Sequence, residues 1–560
     1  MKLKDDKKIL LKLLDVENEK FQGYGELQLV YGRIPVIEYK DSKPQGQNQL
    51  VAETTSPGTV QKYFLAEIES GLFNDICNYV FFGNADKANL LKVHFTIPEL
   101  APYFINELNY RLDKDGNLSG NLTIPSLESN ILIDDSPIKI TIHQGYNLKK
   151  FDSNNGFGFT NIIYVSFELS NPISFEEIKK LMYQTTSLFT WITGYPVTVD
   201  EIEVSDGENV GCLYIPSVKN TATYDTSNEN SFMDSCTLRN NFDDICRHYF
   251  VKNKSMFVDI WSRTIPLFYF TGVLEYELML YASVLDKYFS YQVNMLSLDV
   301  TNPIGKYEEF IAKLEQHLHD DIELQDMIAN AGVKTSGDCF RVKEMFPNTI
   351  LTTFHKKAKA YLGHIGNFCT EVFINYDQLH KIKQIRDRAA HGEIEKCSTD
   401  EVVELLWRVK ILSMYLIYRD LGINDEIFLK MLYRTFHPIK LNCAIDDYKL
   451  EIKLGCATSI TLSSRHFSDY ESQTSHIRVF WKRGEQWTYD AEMSKSSSDY
   501  FFSVENFGKD KEFRSYNEFV QNQLAPKDKN FKVKFCGNAY LVNKTTLIRM
   551  HSAVIIEKIN

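Results

Sequence analysis

The 560-residue chain lacks several features that would have placed it in a class at once. Its ten cysteines are scattered from Cys77 to Cys536 without a Cys-x-x-Cys pair, which fits reduced, mostly buried thiols in a cytosolic protein. No apolar run reaches the length of a membrane span, and the best of them, Ile265 to Leu274, stops at Glu275. The N-terminal run Ile9-Leu10-Leu11-Lys12-Leu13-Leu14 is interrupted by Lys12. Asp15, Glu17 and Glu19 follow with no small-residue cleavage site, against a signal peptide. A cytoplasmic protein that spans no membrane is expected. Positive charge is also short: 62 Lys and Arg against 74 Asp and Glu leave a formal charge of −12. That argues against coating nucleic acid over the whole surface, although a local basic cleft remains open. What is present is substantial. Hydrophobic residues make up 44% and aromatics 13%, which excludes a largely disordered chain, and the length suits three domains.

The most informative stretch is Gln384-Ile385-Arg386-Asp387-Arg388-Ala389-Ala390-His391-Gly392. Leu379, Ile382, Ile385, Arg386, Ala389 and Ala390 recur at helical spacing, so an amphipathic helix is expected with Arg386 on its apolar stripe. A guanidinium there needs an anionic or polar partner. Gly392 reads as a helix C-terminal signal, placing the imidazole of His391 in the last turn, where the helix dipole favours its protonated form. Ala389 and Ala390 leave room for close approach of a second helix or a ligand. The pattern is loose by itself. Arg386 paired with Asp387 or a neighbouring acid, with His391 merely ending a helix, satisfies the same residues. Around it, nine Lys or Arg stand against four Asp or Glu between Arg341 and Arg388, a local reversal of the global charge.

Arginine, a polar Asp387, and then His391 within a long helical segment resemble the motif of the HEPN superfamily, helical proteins that include ribonucleases. The wider chain is similar to ApeA-type anti-phage proteins, in which a β-rich N-terminal region precedes such a domain. Residues from about Phe21 to Pro216 carry that order. Strand patterns run at Gly25–Tyr31, Leu91–Ile97 and Ile162–Phe167, with turns at Asp115-Gly116-Asn117 and Asn154-Asn155-Gly156. One helix follows from Ser174 to Phe189, with Ser174 and Glu177 at capping-box spacing, then a return strand through Val197–Val199 to Ile202–Val204. The likeness covers roughly residues 20–215 and implies a sensing or regulatory role, open to a phage-derived trigger. His94 and His143 lie within strand patterns and read as satisfied histidines.

The expected architecture is α+β and multidomain. A β-rich N-terminal domain spans 1–217, a Ser/Thr/Asn-rich linker 218–240, an all-α HEPN-like bundle 241–435, and a small β-rich domain 436–560. In the bundle, Ile265–Phe289 is apolar over most of its circumference and reads as one buried helix, with Pro266 in its first turn and Glu275 and Glu277 in its middle. Further helices are expected over Lys306–Asn330 and Thr352–Phe373. A last one opens at a Ser398/Glu401 capping box and runs to Leu421. In the C-terminal region, Ile477–Trp481 and Gln486–Tyr489 form a hairpin, Phe531–Phe535 and Val554–Ile556 are strands, and a short helix lies near Tyr516–Gln521.

The resemblance implies a metal-independent endoribonuclease without a cofactor. RNA carries its own nucleophile, the 2′-hydroxyl, so the protein needs only proton transfer and charge stabilisation. Arg386, His391 and Asp387 are the candidate catalytic residues; Lys356, Lys357, Lys359, Lys383 and Arg388 are weaker candidates for RNA contacts. Arg386 and His391 lie about 140° apart on an ideal helix, so one motif makes an incomplete pocket. The family's solution, a homodimer or higher homo-oligomer through the helical domain, is the expected assembly. Gln316–Asp321 contains His317 and His319, which point to different sides of a helix, an awkward pair for one metal. The opposing class is a non-catalytic sensor or scaffold whose helical domain dimerises or binds a nucleotide.

Overall fold

The computed structural model describes residues 3–558 apart from 5, 42, 45–46, 55–60, 71–73, 105–108, 113–117, 122, 134, 151–156, 218–221, 299–306, 324–325, 328–352, 369, 394–397, 504–510, 525–529 and 544–545. Both expected turns, at 115–117 and 154–156, fall outside the described residues. The chain divides into two compact units, Met1–Ala444 and Ile445–Asn560. The boundaries expected at 217 and 240 both lie inside the first unit.

The first unit begins with strands whose side chains alternate inward and outward. In Phe21–Leu29, for example, Gly23, Gly25, Leu27 and Leu29 are buried and Phe21 and Tyr24 exposed. Lys7–Leu14, Phe21–Leu29, Val36–Tyr39, Gln49–Thr54, Lys62–Ser70 and Asp75–Gly83 close into an antiparallel ring. Closure comes from Asp75–Gly83 pairing with both Val36–Tyr39 and Lys62–Ser70, which removes open edges. The same strand carries the sheet onward by pairing with Val210–Tyr214. Backbones come close at that junction: Gly83 has φ +127, and a Cβ on it would lie 2.5 Å from Gly211 Cα. Glu201–Ser205, Lys92–Thr96, Phe157–Leu169, Ser136–Lys150 and Leu127–Ile133 complete a 12-stranded sheet. Residues 197–199, expected as strand, precede the strand that starts at Glu201.

The capping box at Ser174 forms as expected with Glu177, and its helix runs Phe175–Thr193, past the expected end at Phe189. Gly194 stops it at φ +79, where a Cβ would meet the His437 ring. His437 is buried and hydrogen-bonds the Gly194 carbonyl at 3.1 Å; burial drives its imidazole pKa down to about 3. The polar stretch expected as a linker is tied into this seam. Phe232 and Met233 are fully buried and their N–H groups donate to Thr193 O and Ile192 O. Its hydroxyls turn onto backbone carbonyls, Thr226 onto Glu99 O (2.7 Å) and Ser231 onto Thr226 O (3.0 Å). A Ser/Thr-rich segment can be buried when its own side chains satisfy the backbone around it. Residues 235–240 then belong to a helix, Ser235–Arg247.

The apolar run read as one helix over Ile265–Phe289 is broken. Trp261–Tyr269 form a 3-10 stretch that contains Pro266, and the central helix starts afresh at Leu274 and runs to Met295. Proline lacks the N–H that a continuous ladder needs, and the residues before Leu274 are extended or bent. Glu275 and Glu277 therefore sit in a first turn, not mid-helix, where the helix dipole favours them. Glu277 is buried and paired with Lys410 at 2.7 Å. Tyr307–Asp320, Phe354–His364, Tyr376–Ala390 and Thr399–Asp420 follow, with a 3-10 turn at Thr370–Val372. Ser398 caps the last of these without a side-chain hydrogen bond, and Glu401 pairs with Lys381 at 2.8 Å, so that capping box does not form. The central helix packs against the Phe354–His364, Tyr376–Ala390 and Thr399–Asp420 helices.

The second unit holds the expected hairpin, Arg478–Arg483 with Gln486–Asp490, turning at Gly484 (φ +59). Ala553–Lys558 runs parallel to its first strand and pairs antiparallel with Phe531–Cys536. A three-stranded sheet lies beside it in the unit's topology. Helices at Asp447–Lys453, Ser464–Glu471, Ala491–Phe502 and Tyr516–Leu524 make it more mixed than expected. No helix among the described residues is long and apolar enough to cross a membrane.

Candidate functional site

The motif helix, Tyr376–Ala390, is fixed at both ends by its own sequence. Asn375 and Gln378 form a reciprocal capping box. At the other end Gly392 takes φ +76, its N–H donates to Ala389 O, and Glu393 N–H donates to Arg388 O. His391 is the C-cap residue itself, one position beyond the last helical turn, with its N–H on the Asp387 and Arg388 carbonyls and its side chain exposed. Leu379, Ile382, Ile385 and Ala389 are buried. Only Ala390 of the alanine pair is exposed, so only it is open to a second surface.

Arg386 lies between that buried stripe and solvent, with 20% of its side chain exposed. Its Nη1 donates to Asp286 Oδ2 at 2.8 Å. Its Nε and Nη2 both donate to Asp387 Oδ1, at 3.2 and 3.0 Å. The guanidinium carbon lies 5.7 Å from the centre of the buried Phe354 ring. Both carboxylates carry a second cation: Lys357 Nζ donates to Asp286 Oδ1 (2.6 Å) and to Ser290 (2.8 Å), and Lys383 Nζ donates to Asp387 Oδ2 (2.6 Å). The result is an alternating chain of charge, Lys357–Asp286–Arg386–Asp387–Lys383. Burial alone would raise the Asp387 carboxyl; the hydrogen bonds and charges of Lys383 and Arg386 outweigh it and hold the pKa below the ordinary value.

Of the residues expected to contact RNA, Lys357 and Lys383 are engaged in these ion pairs, so they position the site's carboxylates. Lys356 is half-buried, and Lys359 is exposed with its ammonium 5.1 Å from the Tyr376 ring centre. Arg388 is half-buried on the same helix. Two histidines that the sequence reading passed over lie near these lysines. His355 and His380 pack edge to face at 5.0 Å, and the Gln384 amide hydrogen-bonds His380 Nε2 at 3.1 Å. Burial, then the charges of His380, Lys383, Lys356 and Lys359, lowers the His355 pKa. The larger omission is Asp286. The acids singled out in its apolar run were Glu275 and Glu277; Asp286, at the edge of the central helix's buried face, reaches Arg386. His364 is exposed. His94 and His143 share the Ser166 hydroxyl, as satisfied strand histidines do. No group of three or more His, Cys, Asp or Glu among the described residues is arranged to hold a metal.

Residues 55–249 match the family model described as ApeA N-terminal domain 1. The likeness to ApeA-type anti-phage proteins read from strand and helix order is borne out there. The match ends before Arg386 and His391, so the likeness to HEPN proteins rests on the motif and its helical setting. No curated protein and no solved structure matches the chain.

Proposed function

We propose, for a chain whose residues 55–249 match an ApeA N-terminal domain, that it acts in anti-phage defence and that its helical region is a metal-independent endoribonuclease of an abortive-infection response. Its substrate is single-stranded or looped RNA, transfer RNA among the candidates. The observation that carries this reading is a half-buried Arg386 aimed by Asp286 and Asp387, on the same helix whose exposed cap is His391. The RNA 2′-hydroxyl attacks the adjacent phosphorus and the bond to the 5′-oxygen breaks, giving a 2′,3′-cyclic phosphate and a free 5′-hydroxyl. His391 exchanges protons with the attacking or the leaving oxygen. Arg386 neutralises charge developing on the phosphate, a task its planar donor fork suits. Asp387, with one oxygen on Arg386 and the other on Lys383, holds the guanidinium in place. A second copy of the chain, approaching past the exposed Ala390, supplies the other half of the cleft. The N-terminal region receives the phage-derived trigger.

One observation favours the competing reading, a non-catalytic sensor or scaffold that dimerises or binds a nucleotide. Three donors of Arg386 already face carboxylates, as in a purely structural ion-pair network. Incubating the purified chain with labelled RNA in chelator, followed by analysis of the product ends, separates the two. Cyclic-phosphate ends that vanish in His391→Ala support the nuclease; intact RNA under conditions where the protein is folded and self-associated supports the scaffold.

A further inference from the structure

The motif helix presents a second row of side chains, apart from its buried stripe. Tyr376, His380, Lys383 and Asp387 fall within about 60° of one another on an ideal helix, and His391 at the cap extends the row. The Phe354–His364 helix runs antiparallel beside it, with three contacts in reverse order along the two helices. The Phe354 ring centre lies 5.7 Å from the Arg386 guanidinium, the His355 and His380 rings 5.0 Å apart, and the Lys359 ammonium 5.1 Å from the Tyr376 ring centre. This seam is open. Lys359, His380 and Gln384 are exposed, and Tyr376 is 40% exposed, so its ring offers surface to a ligand.

Counter-charge is unevenly shared along it. Lys357 and Lys383 have Asp286 and Asp387. Lys356, Lys359, His355 and His380 have no carboxylate partner among the described residues. His355 Nδ1 lies 3.1 Å from Thr353 Oγ1 and His380 Nε2 3.1 Å from the Gln384 amide nitrogen, which leaves each imidazole one ring nitrogen for a newcomer. An anion set between them would relieve repulsion that the fold now bears. We propose that the seam carries a single strand of RNA away from Arg386. His355, His380 and Lys359 hold phosphates beyond the one at Arg386, and the Tyr376 ring stacks an unpaired base. The path begins at the phosphate that the nuclease reading places on Arg386, and rests on that reading in this respect. Tyr376 stands ten residues from Arg386, about 15 Å along the axis, so more than one nucleotide separates the two. A base reaches that ring only from outside a duplex, which selects single-stranded or looped RNA.

The test uses the full chain and labelled 2′-O-methyl RNA oligomers, which cannot be cut because the nucleophile is methylated. Fluorescence anisotropy compares a single strand, a strand of the same length with abasic sites, and a duplex. The single strand should bind at least fivefold tighter than the duplex. Tyr376→Leu should weaken the base-bearing strand at least fivefold and the abasic strand less than twofold. His355→Gln combined with His380→Gln should weaken both strands equally, at least fivefold. Lys359→Ser with His380→Gln, both at exposed positions, repeats that measurement should the half-buried His355 matter to folding. Circular dichroism and thermal midpoints confirm that each variant is folded. No binding by the wild-type chain, a duplex that binds as tightly as the strand, equal loss of both strands in Tyr376→Leu, or binding unchanged in the histidine and lysine variants would each overturn the proposal. Cleavage of natural RNA alongside one of those results would leave the nuclease reading standing alone. The expected binding pattern without cleavage would sink that reading and keep the strand path.

Discussion

Two aspartates of the helical region are held in opposite ways. Asp387 is partly exposed, faces Arg386 and Lys383, and keeps its carboxyl below the ordinary pKa. Asp420 is buried and faces neutral donors. Trp261 Nε1 reaches Oδ2 at 2.7 Å, and the Tyr288 hydroxyl, itself 3.0 Å from that of Tyr361, lies 3.2 Å from Oδ1. Burial pushes the Asp420 carboxyl up to about 7, against the hydrogen bonds of Trp261 and Tyr288 and the charge of Arg419. A protonated Asp420 can donate to the Tyr288 oxygen while Tyr288 donates to Tyr361, so the neutral acid satisfies the whole cluster. The difference separates two tasks. A charged, half-open network can exchange a carboxylate for a phosphate; a closed one, whose carboxyl burial biases toward the protonated form, only holds helices together.

The sharpest way to break that distinction is to remove the groups assigned to chemistry. His391→Ala is expected to lower RNA cleavage by about 10³-fold or more, with an unchanged thermal midpoint because the imidazole is exposed. Arg386→Ala should do the same at modest cost in stability, since Asp286 keeps Lys357 and Asp387 keeps Lys383. The double variant should be little worse than either, and Arg388→Ala should retain activity. Wild-type cleavage by His391→Ala, or activity lost on adding chelator, would end the mechanism.

Next in size is the closed network. Asp420→Ala leaves the Trp261 N–H without its acceptor and the Tyr288 hydroxyl without its carboxyl partner, and is expected to cost roughly 2–5 kcal/mol in urea unfolding. A change under 1 kcal/mol would mean that the cluster is not a keystone.

The pH dependence follows from the same contrast. The Asp420 pKa rises from 3.8 to about 7 on folding, so the folded state holds a proton that the unfolded state has released between those values. Its contribution to stability is full below the unfolded pKa and is lost as pH rises through the folded one, on the order of a few kcal/mol. Asp387 has the reverse sign: its contribution is present above the unfolded value and lost as pH falls through the lowered folded one. Urea midpoints between pH 5 and pH 8 should therefore fall more steeply in the wild type than in Asp420→Asn, whose amide can donate to Tyr288 without titrating. Equal slopes would show that the carboxyl is not neutral in the fold.

Smaller effects grade the open network. Asp286→Asn removes one of the two carboxylates around Arg386 and should reduce cleavage about tenfold while binding of RNA persists; full activity would reduce Asp286 to a bystander. Lys359→Glu should weaken RNA binding a few-fold and reduce its salt slope by about one unit. A slope that stays put would move the RNA path away from this face.

Local chemistry was legible in the amino-acid sequence because its signals are short. The Ser174/Glu177 box, the stop at Gly392, the Arg478–Asp490 hairpin and the apolar stripe of the motif helix all lie within a few residues of what they specify. The need of Arg386 for an anion was also readable, from a charge on that stripe. Which anion was not. Asp387 is its neighbour, but Asp286 lies 100 residues away and meets it only because the central and motif helices pack in one register. The same holds for Lys357, which looks like a free cation in the sequence and is an ion-pair partner in the fold. Ser398 and Glu401 had capping-box spacing, yet Lys381 on another helix took the glutamate. The polar stretch after Pro216 looked like a linker by composition, and the burial of Thr226 and Ser231–Met233 within it depended on carbonyls at Glu99, Ile192 and Thr193 that no local pattern announces. Residue spacing sets periodicity and caps, but the partner of a charge and the burial of a polar segment are decided by which helices and strands meet.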